Sequence, residues 1–235
     1  MKKKLVATIA VVSMLAVALV GATLAFFTDT ADEVVNTFTM ANDPVKITLD
    51  ESDVSYDDQT HTWTKNKEKR VPGNDYEKIY PGAVLPKDPM VTNKGDYDAF
   101  VRLDVTVDNF DTFQKIIKRH VDKGDFDDEA AAMAAIFPDY DEKKWDRFDK
   151  EVPKDKKTAT YKYIWSGEEG AAIVAPSGST DPIFEKVVIP GCFDQDDMEA
   201  LDGGFKITAF AYAIQADGAE KEVLVKELKE MAKPE

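Results

Sequence analysis

From Val101 to Asp108 apolar and polar side chains alternate without a break. Val101, Leu103, Val105 and Val107 stand against Arg102, Asp104, Thr106 and Asp108. Only an extended strand, whose side chains point to opposite faces at each step, puts four such apolar residues on one side. A helix would scatter them around its circumference. The same period runs through Val45, Ile47 and Leu49, with Lys46, Thr48 and Asp50 between them, and through Tyr161, Tyr163 and Trp165. Phe205 to Ile214 is apolar at both parities, Ala209, Ala211 and Ala213 alternating with Phe210, Tyr212 and Ile214. That pattern reads as a central strand covered on both faces. Met90 to Thr92 and Val187 to Ile189 add two short strands. Turn residues separate the runs at Pro72-Gly73-Asn74, Pro81-Gly82, Asn93 to Asp96, Pro190-Gly191 and Asp202-Gly203-Gly204.

Helical spacing is confined to connections and to the tail. Phe110, Phe113, Ile116, Ile117 and Val121 recur at helical intervals, with Asn109 or Asp111 available as the cap. A short second helix follows Asp127-Asp128-Glu129, from Ala130 to Phe137, where Pro138 stops it. A third runs from about Ala219 to Met231 with Val225, Leu228 and Met231 as its inner stripe. Many strands with helices segregated in this way imply an all-β chain, a β-sandwich with helical insertions. The domain is expected over 42–218, with a helical insertion at about 109–150 and a C-terminal helix over 219–235.

The N-terminus is of another kind. Lys2, Lys3 and Lys4 precede a long uncharged run that ends in Gly21-Ala22-Thr23-Leu24-Ala25. A basic start, an apolar stretch and a small-x-Ala ending form a secretory signal peptide over 1–25, cleaved between Ala25 and Phe26. The uncharged run continues through Phe27 and is also long enough to span a bilayer, so an uncleaved anchor is the rival reading. Both send the rest of the chain outside. Composition sharpens this split. The whole chain carries −15, from 30 basic and 45 acidic residues. Without the three lysines of the leader, 27 basic residues face 45 acidic ones, a net −18. Such a surface repels a phosphate backbone, which excludes a nucleic-acid partner.

Catalytic motifs are missing. There is no H-E-x-x-H, G-x-S-x-G or phosphate-binding glycine loop. His61 and His120 are isolated from each other and read as solvated or packing residues, so no metal ligand is assigned. The acids at Asp125 to Glu129 and at Asp194 to Glu199 lack the glycine and the terminal glutamate of a helix-loop-helix calcium site, and read as solvated loop and helix-start acids. Cys192, the single cysteine, permits no intrachain disulfide and reads as a partly buried thiol. No catalytic residue and no cofactor are expected.

Just beyond the cleavage site the chain reads Phe26-Phe27-Thr28-Asp29-Thr30, then Val34-Val35-Asn36-Thr37-Phe38-Thr39-Met40-Ala41. With the preceding Gly21 to Ala25, this string resembles the start of the TasA/camelysin family. Two further resemblances follow in the family's order. One runs from Tyr80-Pro81-Gly82 through Lys87 to Gly95 and on to Asp98 to Arg102. The other runs from Phe205 to Thr208 and Ala213 to Asp217. Within the family the chain looks like the TasA-like matrix proteins of clostridia, of the BsaA type. Asp108 to about Lys157 and the C-terminal helix match less clearly.

The resemblance implies an exported Gram-positive biofilm matrix protein, processed by the signal peptidase SipW. It implies a jelly-roll sandwich that polymerises by donor-strand complementation. The donor would be 26–41, with Phe26, Phe27, Val34, Val35, Phe38 and Met40 as its polymerisation residues. The partners implied are further copies of the chain, head to tail, and an accessory matrix or anchoring protein. An unpaired sheet edge completed by the next subunit gives a contact that does not close, hence a fibre. An ordinary first strand of its own domain is the alternative for 34–41. A camelysin-like surface metalloprotease is a second function the resemblance implies, against which stand the two isolated histidines. A monomeric, membrane-anchored binding domain is the third. The acidic surface would oppose lateral aggregation in a fibre, and salt would screen it.

Overall fold

The computed structural model describes residues 45–167, 170–201 and 204–232. The signal segment, the cleavage pair Ala25 and Phe26, and the donor residues Phe27, Val34, Val35, Phe38 and Met40 lie outside them. Strand exceeds helix, 36% against 21%, so the chain is mostly β with few helices.

Three sheets carry nine strands among the described residues. β1 (Ile47–Asp57) lies between β2 (Thr62–Val71) and β4 (Met90–Asn93) and changes partner midway. Ile47 to Asp50 pair with β4, whereas Glu51 to Asp57 pair with β2, with a register shift between Ser52 and Asp53. β3 (Val84–Pro86) and β8 (Lys186–Val188) form a two-stranded ribbon. The third sheet runs β6 (Trp145–Glu151), β7 (Thr158–Trp165), β5 (Ala99–Asp108), β9 (Ile207–Gln215), antiparallel throughout.

β5 is the strand the alternation identified, and it organises the interior. Its odd residues Val101, Leu103 and Val105 face the main core, meeting Leu85, Val91, Trp145 and helix α1 (Phe110–Lys123). Register puts Ala209, Ala211 and Ala213 of β9 and Tyr161 and Tyr163 of β7 on the same face. The even residues Phe100 and Arg102 face the other way, toward helix α4 (Lys221–Glu230). Core packing on one face and a helix on the other give a sandwich-like, all-β architecture.

Three sequence expectations need correction, and one strand was not foreseen. The apolar run at Phe205 to Ile214 does become β9, but as the outer strand of its sheet, with β5 central. Its two-faced apolarity arises because alanines lie over the core while Phe210, Tyr212 and Ile214 meet α4. An edge strand can be covered on both faces, so periodicity cannot place it within a sheet. The expected helical insertion at 109–150 contains α1 and α2 (Glu129–Ile136), but Trp145–Glu151 is a strand. Its charged sequence masks the extended backbone. β2 went unread for the same reason, its TWTKNKEKRV being polar at nearly every position. In α4 the buried residues are Leu224 and Leu228, with Val225 partly packed and Met231 exposed.

The expected helix starts are otherwise sound. Asp128 caps α2, its carboxylate accepting from the Ala131 N–H at 2.7 Å. Asn109 occupies the cap of α1 with φ 52 and makes no side-chain capping bond. Asparagine is among the few residues that tolerate this left-handed backbone, and it turns the chain from β5 into the helix.

Candidate functional site

The two outer strands of the four-stranded sheet, like β2 and the β3–β8 ribbon, leave main-chain groups to pair. On β9 the direction of those groups follows from the register. The Asp108 N–H donates to the Lys206 carbonyl at 3.0 Å, and the Ala216 N–H to the Asp98 carbonyl at 2.8 Å. Even-numbered residues of β9 therefore bond to β5, and the N–H and C=O groups of Ile207, Ala209, Ala211, Ala213 and Gln215 face away from it. No strand pairs with that side among the described residues. No charged residue occurs between Ile207 and Gln215. An edge of this length without a charge, a proline or a bulge is a template for another strand.

Beside the start of β9 lies a groove of roughly 460 Å³ between that strand and the β3–β8 ribbon. Tyr76, Ile79, Leu85, Val187, Phe205 and Ile207 line it, with Lys87 and Lys206 at its polar parts. Its walls are pinned from behind. The Tyr76 hydroxyl donates to the Pro86 carbonyl. Burial, reinforced by the nearby Glu51 and Asp88 charges, holds that phenol far above its ordinary range, so it remains a donor. Lys87 Nζ reaches the buried Glu51 at 2.6 Å. Burial disfavours the Asp88 carboxylate, but the Ser52 N–H at 2.7 Å, the Ser52 hydroxyl at 2.8 Å and Lys65 outweigh it and hold Asp88 below the usual carboxylate range. Such a network fixes β1, β2 and the β3–β4 connection as one wall.

The outer face of the sheet holds a second polar element that sequence reasoning missed. Arg102 forms a two-pronged pair with Asp104, Nε to Oδ1 at 2.7 Å and Nη2 to Oδ2 at 2.6 Å. Its Nη1 donates to the carbonyls of Leu228, Lys229 and Met231 at the end of α4. The guanidinium lies 4.3 Å from the Tyr212 ring centre and 5.7 Å from that of Phe148. Arg102 thus ties α4 across the outer face. Its polar position in the alternation gave no sign of a buried partner.

The histidines part company. His61 is exposed at φ 54, its Nδ1 3.0 Å from the Tyr56 hydroxyl. His120 is buried in the last turn of α1, stacked on Phe193 with ring centres 5.3 Å apart. Its Nε2 lies 2.8 Å from Asp197 Oδ2 and its Nδ1 2.6 Å from Asp125 Oδ2. Gly124 at φ 84 ends α1, and the Asp125 N–H returns to the His120 carbonyl at 2.9 Å, which folds Asp125 back over the ring. Asp197 was read as a solvated helix-start acid and is fully buried. It belongs to α3 (Gln195–Ala200), where Asp194 accepts from its N–H and it accepts from the Asp194 N–H, a reciprocal cap. Arg119 also contacts Asp197. Cys192 is half-buried, as expected, and burial, then the Asp125 charge, push its thiol up. No helix among the described residues is long and apolar enough to cross a membrane. No family model, curated protein or solved structure matches the chain.

Proposed function

We propose that this chain is an exported structural subunit that assembles head to tail into extracellular matrix fibres, with no catalytic role. In this reading the domain is a jelly roll, the leader is removed between Ala25 and Phe26 by SipW, and 26–41 lends a strand to the β9 edge of the next subunit. The observation that carries it is the outer edge of β9: nine residues, uncharged, with five consecutive outward N–H and C=O sets. Main-chain bonds along that edge would supply affinity. Alternate apolar side chains would supply specificity by entering the adjacent groove. Val34, Phe38 and Met40 share one parity, so an extended donor presents all three to the same side.

The same segment could complete its own subunit or a neighbour's, and only the second gives a polymer that does not close. Electron microscopy separates the outcomes. Protein beginning at Phe26 forms filaments, and protein beginning at residue 42 stays monomeric until a peptide of sequence 26–41 is added, which it binds without polymerising. Filaments from both proteins would overturn the donor assignment.

A further inference from the structure

We propose that His120 Nδ1, Asp125 and Cys192 form a three-ligand site for a divalent cation of the zinc class. Their ligating atoms all lie within 4.8 Å of one another. The protonation pattern around the ring points to a cation. Asp197 Oδ2 already accepts from the Asp194 N–H at 2.9 Å, and Arg119 contacts its other oxygen. Neither partner can do anything but donate, so Asp197 is an acceptor and His120 Nε2 carries the proton. In the neutral imidazole Nδ1 is then a lone pair, and it faces a carboxylate oxygen at 2.6 Å. Two lone pairs so close need a proton between them, on the ring or on the carboxyl, or a metal ion. Cys192 Sγ, within 4.8 Å of both atoms, adds a third ligand atom that a metal ion engages and a proton does not.

The surroundings match what a bound metal needs. A ligating histidine commonly donates its other N–H to a buried carboxylate, which fixes ring and tautomer, and Asp197 supplies this. Tetrahedral bonds of about 2.0 to 2.3 Å separate ligand atoms by roughly 3.3 to 3.8 Å, within reach of small side-chain adjustments. His120 is held by Phe193 behind it, and Asp125 is exposed, so the mobile ligand lies on the solvent side. One neutral imidazole, one carboxylate and one thiolate balance a dication. The sulfur favours zinc over calcium or magnesium, which take oxygen ligands. Binding releases the Cys192 proton to solvent, so affinity falls as pH falls. With three protein ligands, the fourth position is left for water. Sequence spacing could not show the site: Asp125 is five residues from His120, and Cys192 is brought in from the loop before α3.

Cobalt(II) is the probe, added to the full chain under phosphine reduction. The expected result is uptake of one ion per chain with a thiolate-to-cobalt charge-transfer band, and protection of Cys192 from a thiol reagent. Cys192→Ser abolishes the band while circular dichroism shows the fold kept. Asp197→Asn weakens binding about 10- to 100-fold, as loss of the carboxylate behind a ligating histidine does, whereas Asp196→Asn, its exposed neighbour, leaves binding unchanged. No uptake at millimolar cobalt, uptake without the charge-transfer band, or a band that survives Cys192→Ser would each overturn the assignment.

Discussion

The two edges of the four-stranded sheet are built on opposite principles. β6 places five charged residues among its seven, Asp146, Arg147, Asp149, Lys150 and Glu151, and all five are exposed. A register shift between Arg147 and Asp149 breaks its line, and Lys162 of β7 binds both Asp149 at 3.0 Å and Glu151 at 3.1 Å. β9 has no charge, no register shift and half-buried side chains along most of its length. Charge and irregularity are how soluble sheets prevent edge-to-edge growth. In the proposed assembly, a sheet that guards one edge and leaves the other regular would grow in a single direction. Because each strand pairs with one neighbour among the described residues, pairing there does not account for the difference.

The largest effect is expected where β9 is braced. Arg102 holds α4 over Phe210, Tyr212 and Ile214, and Arg102→Ala leaves Asp104 and three helix carbonyls without their donor. Breaking a buried pair from one side costs about 3–5 kcal/mol, read from urea unfolding. The variant should also bind a hydrophobic dye, because the outer face of β9 is uncovered, and its assembly should become amorphous. A cost below about 1 kcal/mol would mean that α4 is held by its leucines alone, and that the directional edge does not depend on it.

A second test acts on the edge with little change to the domain. The Ala211 N–H faces away from β5, so Ala211→Pro removes an outward donor without breaking the ladder within the sheet. Filaments are expected to disappear by electron microscopy while the circular dichroism spectrum is retained. Unchanged filaments would move the acceptor edge elsewhere, and the contrast between β6 and β9 would lose its functional meaning.

How much of this was readable in the sequence depends on where side-chain chemistry follows geometry. β5 was legible because one of its faces is apolar at every second position, and α1 and α2 because apolar spacing and the Asp128 cap agree. β2 and β6 were not, since strands that spend most of their length in water have no apolar face to reveal them. β9 was legible as a strand but not as an edge, because strand order is set by pairing across the chain, about which periodicity is silent. The open edge itself is an absence of charge, visible in ITAFAYAIQ once its position is known. His120 with Asp197, and Arg102 with α4, are joined over 77 and more than 120 residues, so no local spacing could reveal either.

The smallest effect lies on the guarded edge. The Lys162 ammonium, hydrogen-bonded to Asp149, holds that carboxyl below its ordinary value of 3.8, helped by the Lys150 N–H and opposed by slight burial. A depressed folded value means that the charge favours the folded state above 3.8, and that this contribution is lost as pH falls through the lower folded value. β6 therefore keeps Asp149 ionised in acid that would neutralise a free aspartate. Carboxyl NMR should give Asp149 a midpoint below 3.8, rising toward the ordinary value in Lys162→Met. That variant should also show slightly earlier side-by-side association on acidification, read by light scattering, with filament formation through β9 unaffected. A midpoint at or above 3.8 in the unaltered protein would mean that Lys162 does not guard the edge, and the bulge at Arg147 and Asp149 would have to suffice.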